Sequence, residues 1–519
     1  MIRKDLIAPL PELLRRQAEA RPDKVAFSDD SGEVSYRDLY RTTANLAGHL
    51  AEWGIGDGRA VAVMLPNSVP WIQACFAAVR AGAIAVPINY DAPLAEVAYR
   101  LEDAGCRVLV TTDERYALVR DTVLALGISL ILVDRAGHAP VGEARFSELA
   151  AEAPGRAAPD PDRLHDPAFI VYTSGTTGRA KGVLLTLHGI LWVTASCWAV
   201  RMGLTEDDRF LSTVPLFHSY ALNTTVLTVV ALGASARLCE RFSTQETIRL
   251  LESGEFTFFP GVPTQYHYLL NATGPDHPPF PNLRMCITGG AVMAASVVDA
   301  FEKRFQVPLL DGYGITETST FVAMNAPAGG RVPGSCGLPF AGLCVRIVDP
   351  ADGRDVEPET VGELIVRGPT IMPGYHNKPE ETASAIRDGW YHTGDLARFD
   401  RDGFITITGR LKELIIRGGQ NIAPAEIEEV VVRHEGIADC AAVACPHAEL
   451  GEVPVVFVAL APDAEISAEA LIAHCRTYLS AYKVPEAVHV VPDIPRTGSG
   501  KIMRFQLIEK LKDIRAGGS

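Results

Sequence analysis

The chain has 519 residues, too many for one compact core, and therefore divides into more than one domain. Hydrophobic residues make up 47% and charged ones 21%, the balance of a globular protein rather than of a disordered or fibrous chain. A net charge of −15 with no basic stripe argues against a nucleic-acid partner, and the sequence has no apolar run long enough to span a bilayer. The ten cysteines are scattered without a CxxC pair and support neither a zinc site nor a disulfide framework. The N-terminal stretch MIRKDLIAPLPELLRR lacks the apolar centre of a signal peptide, so a cytoplasmic location is expected.

Helical apolar spacing over 9–20 and 36–53 leads into a buried strand at 60–65. The alternation continues with a helix at 68–81, strand 83–88, helix 93–104, strand 107–111, helix 115–126 and strand 129–133. Such a pattern predicts right-handed βαβ units and a parallel sheet covered by helices. The GxGxG at 54–58 follows a helix and precedes a strand, the reverse of a dinucleotide fingerprint, and reads as a turn. A second α/β block is expected over 168–330. Short, glycine-punctuated β-segments such as 364–367 and 404–408 then predict a small β-subdomain over 334–409. Beyond Gly409-Arg410 the expected elements are helices at 424–434, 467–478 and 504–514, with strands at 437–445 and 454–461.

The most specific stretch is YTSGTTGRAKG at 172–182. A strand over 168–172 runs into Thr173, Ser174, Gly175, Thr176, Thr177 and Gly178. Glycines there let backbone N–H groups turn inward, hydroxyls donate further bonds, and Lys181 adds charge, a combination that holds phosphate oxygens. It is not a Walker A loop, because no GxxxxGK[ST] can be read. A helix over 186–195 is expected to follow. Without that setting, the same composition would describe a polar surface loop.

The loop is accompanied by PLFHSYALN at 215–223, ITGGAVM at 287–293, DGYGITETS at 311–319, GELIVRGP at 362–369, WYHTGDL at 390–396, GRLKELI at 409–415 and PRTGSGKIMR at 495–504. In these motifs and their order the chain resembles the adenylate-forming (ANL) superfamily, in its acyl-CoA synthetase and coumarate-CoA ligase-like branches. The resemblance implies an α/β fold. Its large N-terminal domain, 1–409, would hold two parallel-sheet subdomains and the β-subdomain, followed by a hinge at 410–412 and a small mobile α+β domain over 413–519. It implies ATP, Mg2+ and CoA as cofactors, a small-molecule carboxylic acid as substrate, and a monomer or homodimer. A separate acyl carrier protein would be an alternative acceptor.

Within that reading the phosphate loop and Lys181 hold the β- and γ-phosphates. Glu317, a lone carboxylate between hydroxyls, suits Mg2+ coordination, and Thr316 beside it donates to the α-phosphate. Resemblance places Gly290, Ala291, Asp311, Gly312 and Tyr313 around adenine, with Tyr313 flat against the ring. Asp395 would accept the two protons of the ribose diol and Arg410 would be the second ribose or phosphate contact. Lys501, in a glycine-rich loop, would bring an ammonium to the carboxylate and α-phosphate during adenylation.

By resemblance His218 lies between nucleotide and acyl sites, as a gate, a carboxylate contact or a hydrogen-bonded core histidine. Tyr220, Ala221 and Asn223, with Gly289, Gly290 and Gly314, would form a mainly apolar acyl pocket with a few polar handles. FHSYALNTTVL carries no acid to pair an α-ammonium, so an amino-acid substrate is disfavoured and a hydrophobic or aryl acid favoured. Lys412 would be the hinge residue, and Gly418-Gly419 would line the thiol tunnel. A stand-alone adenylating enzyme and a luciferase-like oxygenase are the alternative readings.

Overall fold

The computed structural model describes residues 2–133, 144–173, 179–291, 293–461, 464–496 and 502–517. Among them the strands form four sheets. The first runs Ala144–Arg145, Ser129–Val133, Cys106–Thr112, Ala60–Met64, Ile84–Pro87, Pro167–Thr173 and Lys181–Thr186. Every residue of Ala60–Met64 is buried, as expected for a parallel strand with helices on both faces. The predicted helices between these strands form as Tyr36–Glu52, Val69–Arg80, Leu94–Asp103 and Asp113–Ala125. Several have a side-chain N-cap: the hydroxyls of Ser35, Ser68 and Thr112 accept from the backbone N–H three residues on.

The second sheet runs Leu338–Pro339, Ala323–Met324, Leu309–Tyr313, Met285–Thr288, Phe258–Gly261, Arg209–Ser212, Ser235–Leu238, Val25–Asp29 and Gly32–Ser35. The two α/β sheets exchange strands. Val25–Asp29 leaves the first block and pairs in parallel with Ser235–Leu238, while Pro167–Thr173 leaves the second and pairs in parallel with Ile84–Pro87. The expected block boundary at 168 is therefore corrected. An apolar strand can complete either sheet, and its hydrophobicity does not say which.

The third sheet, Cys344–Val348, Gly362–Arg367, Trp390–Phe399 and Ile386–Arg387 with Ile405–Arg410 alongside, is antiparallel and forms the expected β-subdomain. The fourth is C-terminal: Gln420–Ile422, Ile415–Arg417, Gly451–Leu460 and Ile437–His447, with Ala487–Val490 alongside. It is covered by Pro424–Val431, Ala468–Tyr478 and Arg504–Gly517, giving a separate α+β unit with its own apolar clusters.

The connector that brings the chain back to Pro167 is anchored by a buried ion pair. Arg80, 1% exposed, meets Asp160 through Nε–Oδ1 and Nη2–Oδ2, both at 2.7 Å. Its Nη1 donates to the Tyr40 carbonyl and to Thr43 Oγ1, and its guanidinium lies over the Tyr40 ring. Asp160 has a left-handed backbone (φ 43°), which asparagine also tolerates. Asp160→Asn therefore removes the charge and leaves the turn intact. It is expected to cost about 2–3 kcal/mol, less than for a fully enclosed pair because Asp160 is 28% exposed, and to lower the first denaturation midpoint.

Candidate active site

Met285–Thr288 and Leu309–Tyr313 are parallel neighbours, with Thr288 opposite Asp311, and their C-terminal ends open a crevice of the kind where α/β sheets bind ligands. Three buried side-chain oxygens on these strands and at the end of the adjoining one have no hydrogen-bond partner among the described residues: Thr288 Oγ1, Asp311 Oδ1 and Asn325 Oδ1. Asn325 is held beside Asp311 because its amide donates to the Asp311 and Ser335 carbonyls. Burial pushes the Asp311 carboxyl well above the usual carboxylate range. Gly289, Gly290 and Ala291 form the exit from the first strand, and Gly290 has φ 87°, a conformation that favours glycine. The absence of side chains at Gly289 and Gly312 makes room for Phe321 and Met324, which press against their Cα atoms.

After Tyr313 the chain turns back on itself so that Val322 N–H donates to the Tyr313 carbonyl. Gly314 makes this possible, since a Cβ at that position would lie 1.8 Å from the Thr320 carbonyl oxygen. The turn contains the 3-10 segment Thr316–Thr318 and then two residues at positive φ, Ser319 (54°) and Thr320 (101°). For a β-branched residue that is strain, of order 1–3 kcal/mol. Both are restrained by their surroundings. Ser319 Oγ donates to the Thr370 carbonyl, and Thr320 Oγ1 donates to the Ser219 carbonyl. Thr316 Oγ1 lies 3.0 Å from Ser219 Oγ, joining this turn to the segment that carries His218.

Asp395 sits opposite Arg410 in the antiparallel pairing of Trp390–Phe399 with Ile405–Arg410. Arg410 Nε donates to Asp395 Oδ1 and the Tyr313 hydroxyl donates to Oδ2, each at 2.6 Å. The carboxylate is 3% exposed, and its charge holds the Arg410 guanidinium fully protonated. Burial, then the Asp395 charge, pushes the Tyr313 phenol up and keeps it a donor. Glu363 holds the preceding turn from both sides, accepting from Gly394 N–H and pairing with His392 Nδ1. Three residues from motifs far apart in sequence are thus joined in one network.

Glu317 is half-buried, and its Oε1 accepts from the Tyr375 hydroxyl at 3.0 Å. Lys181 Nζ lies over the Tyr375 ring, 5.0 Å from its centroid. Residues 174–178 lie outside the described residues, but their setting differs from expectation. Lys181 opens a strand, Lys181–Thr186, antiparallel to Pro167–Thr173 with Thr173 opposite Lys181, so the segment links a hairpin rather than a strand to a helix. The expected helix follows that strand, starting at Leu187 with Thr186 as its N-cap.

On the acyl side two of the residues expected to line the pocket are fully buried. Asn223 is wholly buried: its Oδ1 accepts from Trp198 Nε1, and its amide donates to the Ile190 and Ser319 carbonyls. It belongs to the π-helical segment Leu222–Leu227, packed on a second π-helical segment, Thr194–Trp198. Its amide is engaged by partners within the fold. Ala221 has no exposed surface and lies in the core. Tyr220 remains half-buried, with its hydroxyl fixed on the Gly261 carbonyl and its ring edge on Phe321. His218 is half-buried, immediately before the helical turn Ser219–Ala221.

The AMP-binding enzyme model matches residues 14–376, and the AMP-binding enzyme C-terminal domain model matches residues 426–501. The chain belongs to the AMP-binding enzyme family. It is 33% identical over 527 residues to a long-chain-fatty-acid–CoA ligase of Bacillus subtilis, covering 96% of this chain and 94% of that one. It is 34% identical over 495 residues to a feruloyl-CoA synthase of Amycolatopsis, covering 95% and 97%. Its structure matches that of the anthranilate CoA ligase AuaEII in complex with anthranoyl-AMP, with a TM-score of 0.90, 26% identity and 98% of both chains covered.

In this AMP-binding enzyme Lys412 is exposed within the 3-10 turn Leu411–Glu413, directly after Arg410. Gly418 and Gly419 form the two-residue turn between Ile415–Arg417 and Gln420–Ile422, both at positive φ (55° and 81°). Positive φ at both central positions is the requirement of a type I′ hairpin, which favours glycine there whatever passes beside the turn. Lys501 lies outside the described residues. Sequence reasoning missed Tyr375, Ser219 and Glu363, because one tyrosine, serine or glutamate in a loop or strand carries no periodic signal. Gly314→Ala is expected to misplace the Glu317 turn and lower adenylation at least about 10²-fold. Gly330→Ala, whose Cβ would meet nothing within 4 Å, should stay near wild type in the same pyrophosphate-release assay.

Proposed function

We infer that this chain is an AMP-forming acyl-CoA synthetase, an acid–thiol ligase that converts a hydrophobic or aryl carboxylic acid to acyl-AMP and then to acyl-CoA. The observation that carries the reading is the joining of Tyr313, Asp395 and Arg410 at the ends of strands whose neighbouring oxygens, on Thr288, Asp311 and Asn325, await a donor. Such acceptors suit an exocyclic amino group, and a carboxylate held by a phenol and a guanidinium still has lone pairs for a vicinal diol.

In the first half-reaction a carboxylate oxygen of the substrate attacks the α-phosphorus, and the bond to pyrophosphate breaks. Lys501 is assigned to neutralise the charge that peaks there, and Thr316 and Lys181 to hold phosphate oxygens. Glu317 fits a magnesium ion brought with the nucleotide, since Mg2+ is commonly held by one or two carboxylates plus substrate phosphates. When bound, the ion supplies positive charge to those phosphates. In the second half-reaction the CoA sulfur forms the thioester bond and AMP leaves. Lys412 is assigned as the hinge between domains 1–409 and 413–519, with the Gly418-Gly419 turn beside the thiol path.

The acid class rests on the apolar side chains around Tyr220 and Phe321, and on relatives named for fatty-acid and feruloyl substrates. CoA rather than a carrier protein is favoured by the same names. A panel of aryl and alkyl acids assayed for AMP release is expected to show turnover that requires CoA. Lys501→Ala should cut acyl-AMP formation about 10²–10³-fold while thioesterification of supplied acyl-AMP persists. Equal loss in both half-reactions would overturn the assignment of Lys501, and CoA-independent turnover would overturn that of the acceptor.

A further inference from the structure

Segment 372–376 straps together the two sides of the triphosphate region. On one side, Met372 N–H donates to the Glu317 carbonyl, fixing the backbone of the turn that carries this carboxylate. On the other, the strap is stitched to the strand that begins at Lys181. Leu184 N–H donates to the Gly374 carbonyl, His376 N–H donates to the Gly182 carbonyl, and Val183 and Tyr375 form an antiparallel bridge. Tyr375 stands in the middle and uses three parts of itself. Its N–H donates to Thr382 Oγ1, which in turn donates to the Lys378 carbonyl and fixes the strap from behind. Its ring lies under the Lys181 ammonium. Its hydroxyl donates to Glu317 Oε1 at 3.0 Å and lies 3.5 Å from the hydroxyl of buried Tyr391.

Glu317 receives no other side-chain hydrogen bond among the described residues. Oε1 is thus held by Tyr375, while among the described residues no side chain donates to Oε2. A glutamate with three free torsions loses conformational freedom when it binds a cation; a donor already on one oxygen removes much of that freedom beforehand. The ring does the same for Lys181, whose flexible stem would otherwise place its charge anywhere within reach.

We propose that Tyr375 is a positioning residue of the adenylation half-reaction, setting the magnesium-binding carboxylate of Glu317 and the phosphate-binding ammonium of Lys181 in one fixed geometry. This rests on the reading of Glu317 as the metal ligand given above. The hydroxyl and the ring have separable duties. Tyr375→Phe removes only the bond to Glu317, whereas Tyr375→Leu also removes the face under Lys181.

The test uses the full chain with ATP and Mn2+, reading bound Mn2+ by electron paramagnetic resonance, a measurement independent of turnover. Tyr375→Phe is expected to weaken Mn2+ binding about 10–100-fold, the range typical for loss of a partner of a metal ligand. The Mg2+ concentration for half-maximal adenylation should rise in parallel, and thioesterification of supplied acyl-AMP should be unchanged. Tyr375→Leu should in addition raise the KM for ATP. Tyr391→Phe removes the hydroxyl next to that of Tyr375 but keeps the Tyr375 bond to Glu317, and should leave Mn2+ binding near wild type. Equal weakening there would show that the local hydroxyl environment, not the bond to Glu317, is what matters, and overturn the proposal. Glu317→Ala separates the two levels of inference. If it weakens Mn2+ binding while Tyr375→Phe does not, the proposal falls and the metal reading stands. If neither does, both fall.

Discussion

The carboxylate of Asp395 accepts from two sheets at once, and the arrangement of the site depends on that. Tyr313 ends a strand of the large parallel sheet, and Arg410 ends a strand of the β-subdomain. A buried carboxylate with one partner would be costly, because desolvation exceeds a single hydrogen bond. With two charge-assisted partners it becomes a junction that fixes how the subdomains meet. The Glu317 turn hangs from the same strand end, since Gly314 follows Tyr313 directly. The position of the acidic residues in the crevice therefore depends on one ion pair, one phenol and one glycine, the phenol and the glycine being adjacent at the end of Leu309–Tyr313.

The strained pair Ser319 and Thr320 shows how that turn is held. Unfavourable φ values persist only where several contacts determine them, and here the contacts come from four residues. Asn223 and Ser219 hold it from the helical stretch 219–227, Thr370 from the β-subdomain side, and the Gly314 backbone packs against it. The π-helical stretch containing Asn223 is part of the same structure, since its irregular backbone places the side chain between Trp198 and the turn. Asn223, expected to meet the acyl group, thus serves to hold this turn.

Much of this was legible in the sequence where the signal is local. The alternation of helical and buried-strand spacing over 36–133 recovered each helix of the first sheet to within a few residues, because periodicity reports which face of an element is covered. The motifs around Asp395, Arg410 and Tyr313 also identified residues that the fold brings into one hydrogen-bonded group. Pairing partners were not legible. Val25–Asp29 and Pro167–Thr173 cross between sheets, and the run after Lys181 reads as an approach to a helix although its residues pair antiparallel with Pro167–Thr173. Single side chains joined only by tertiary contact, such as Tyr375 and Glu363, had no pattern to betray them. The three hydrogen bonds of Asn223 were not legible either, because a polar residue inside an apolar motif looks the same whether it faces a ligand or backbone and indole partners.

The strand Ile405–Arg410 has an unusual last residue. Arg410 is pinned to Asp395 on one side, and on the other the next peptide bond enters the exposed turn Leu411–Glu413 that leads to the C-terminal sheet. The C-terminal unit is thus rooted, like a post in a footing, in the same ion pair that shapes the crevice. A pull on that unit would be felt first at the Arg410–Asp395 contact, before any load reached the interior of the β-subdomain. Whatever occupies the crevice beside Asp395 would stiffen that footing, so the mechanical resistance of the tether would report on occupancy.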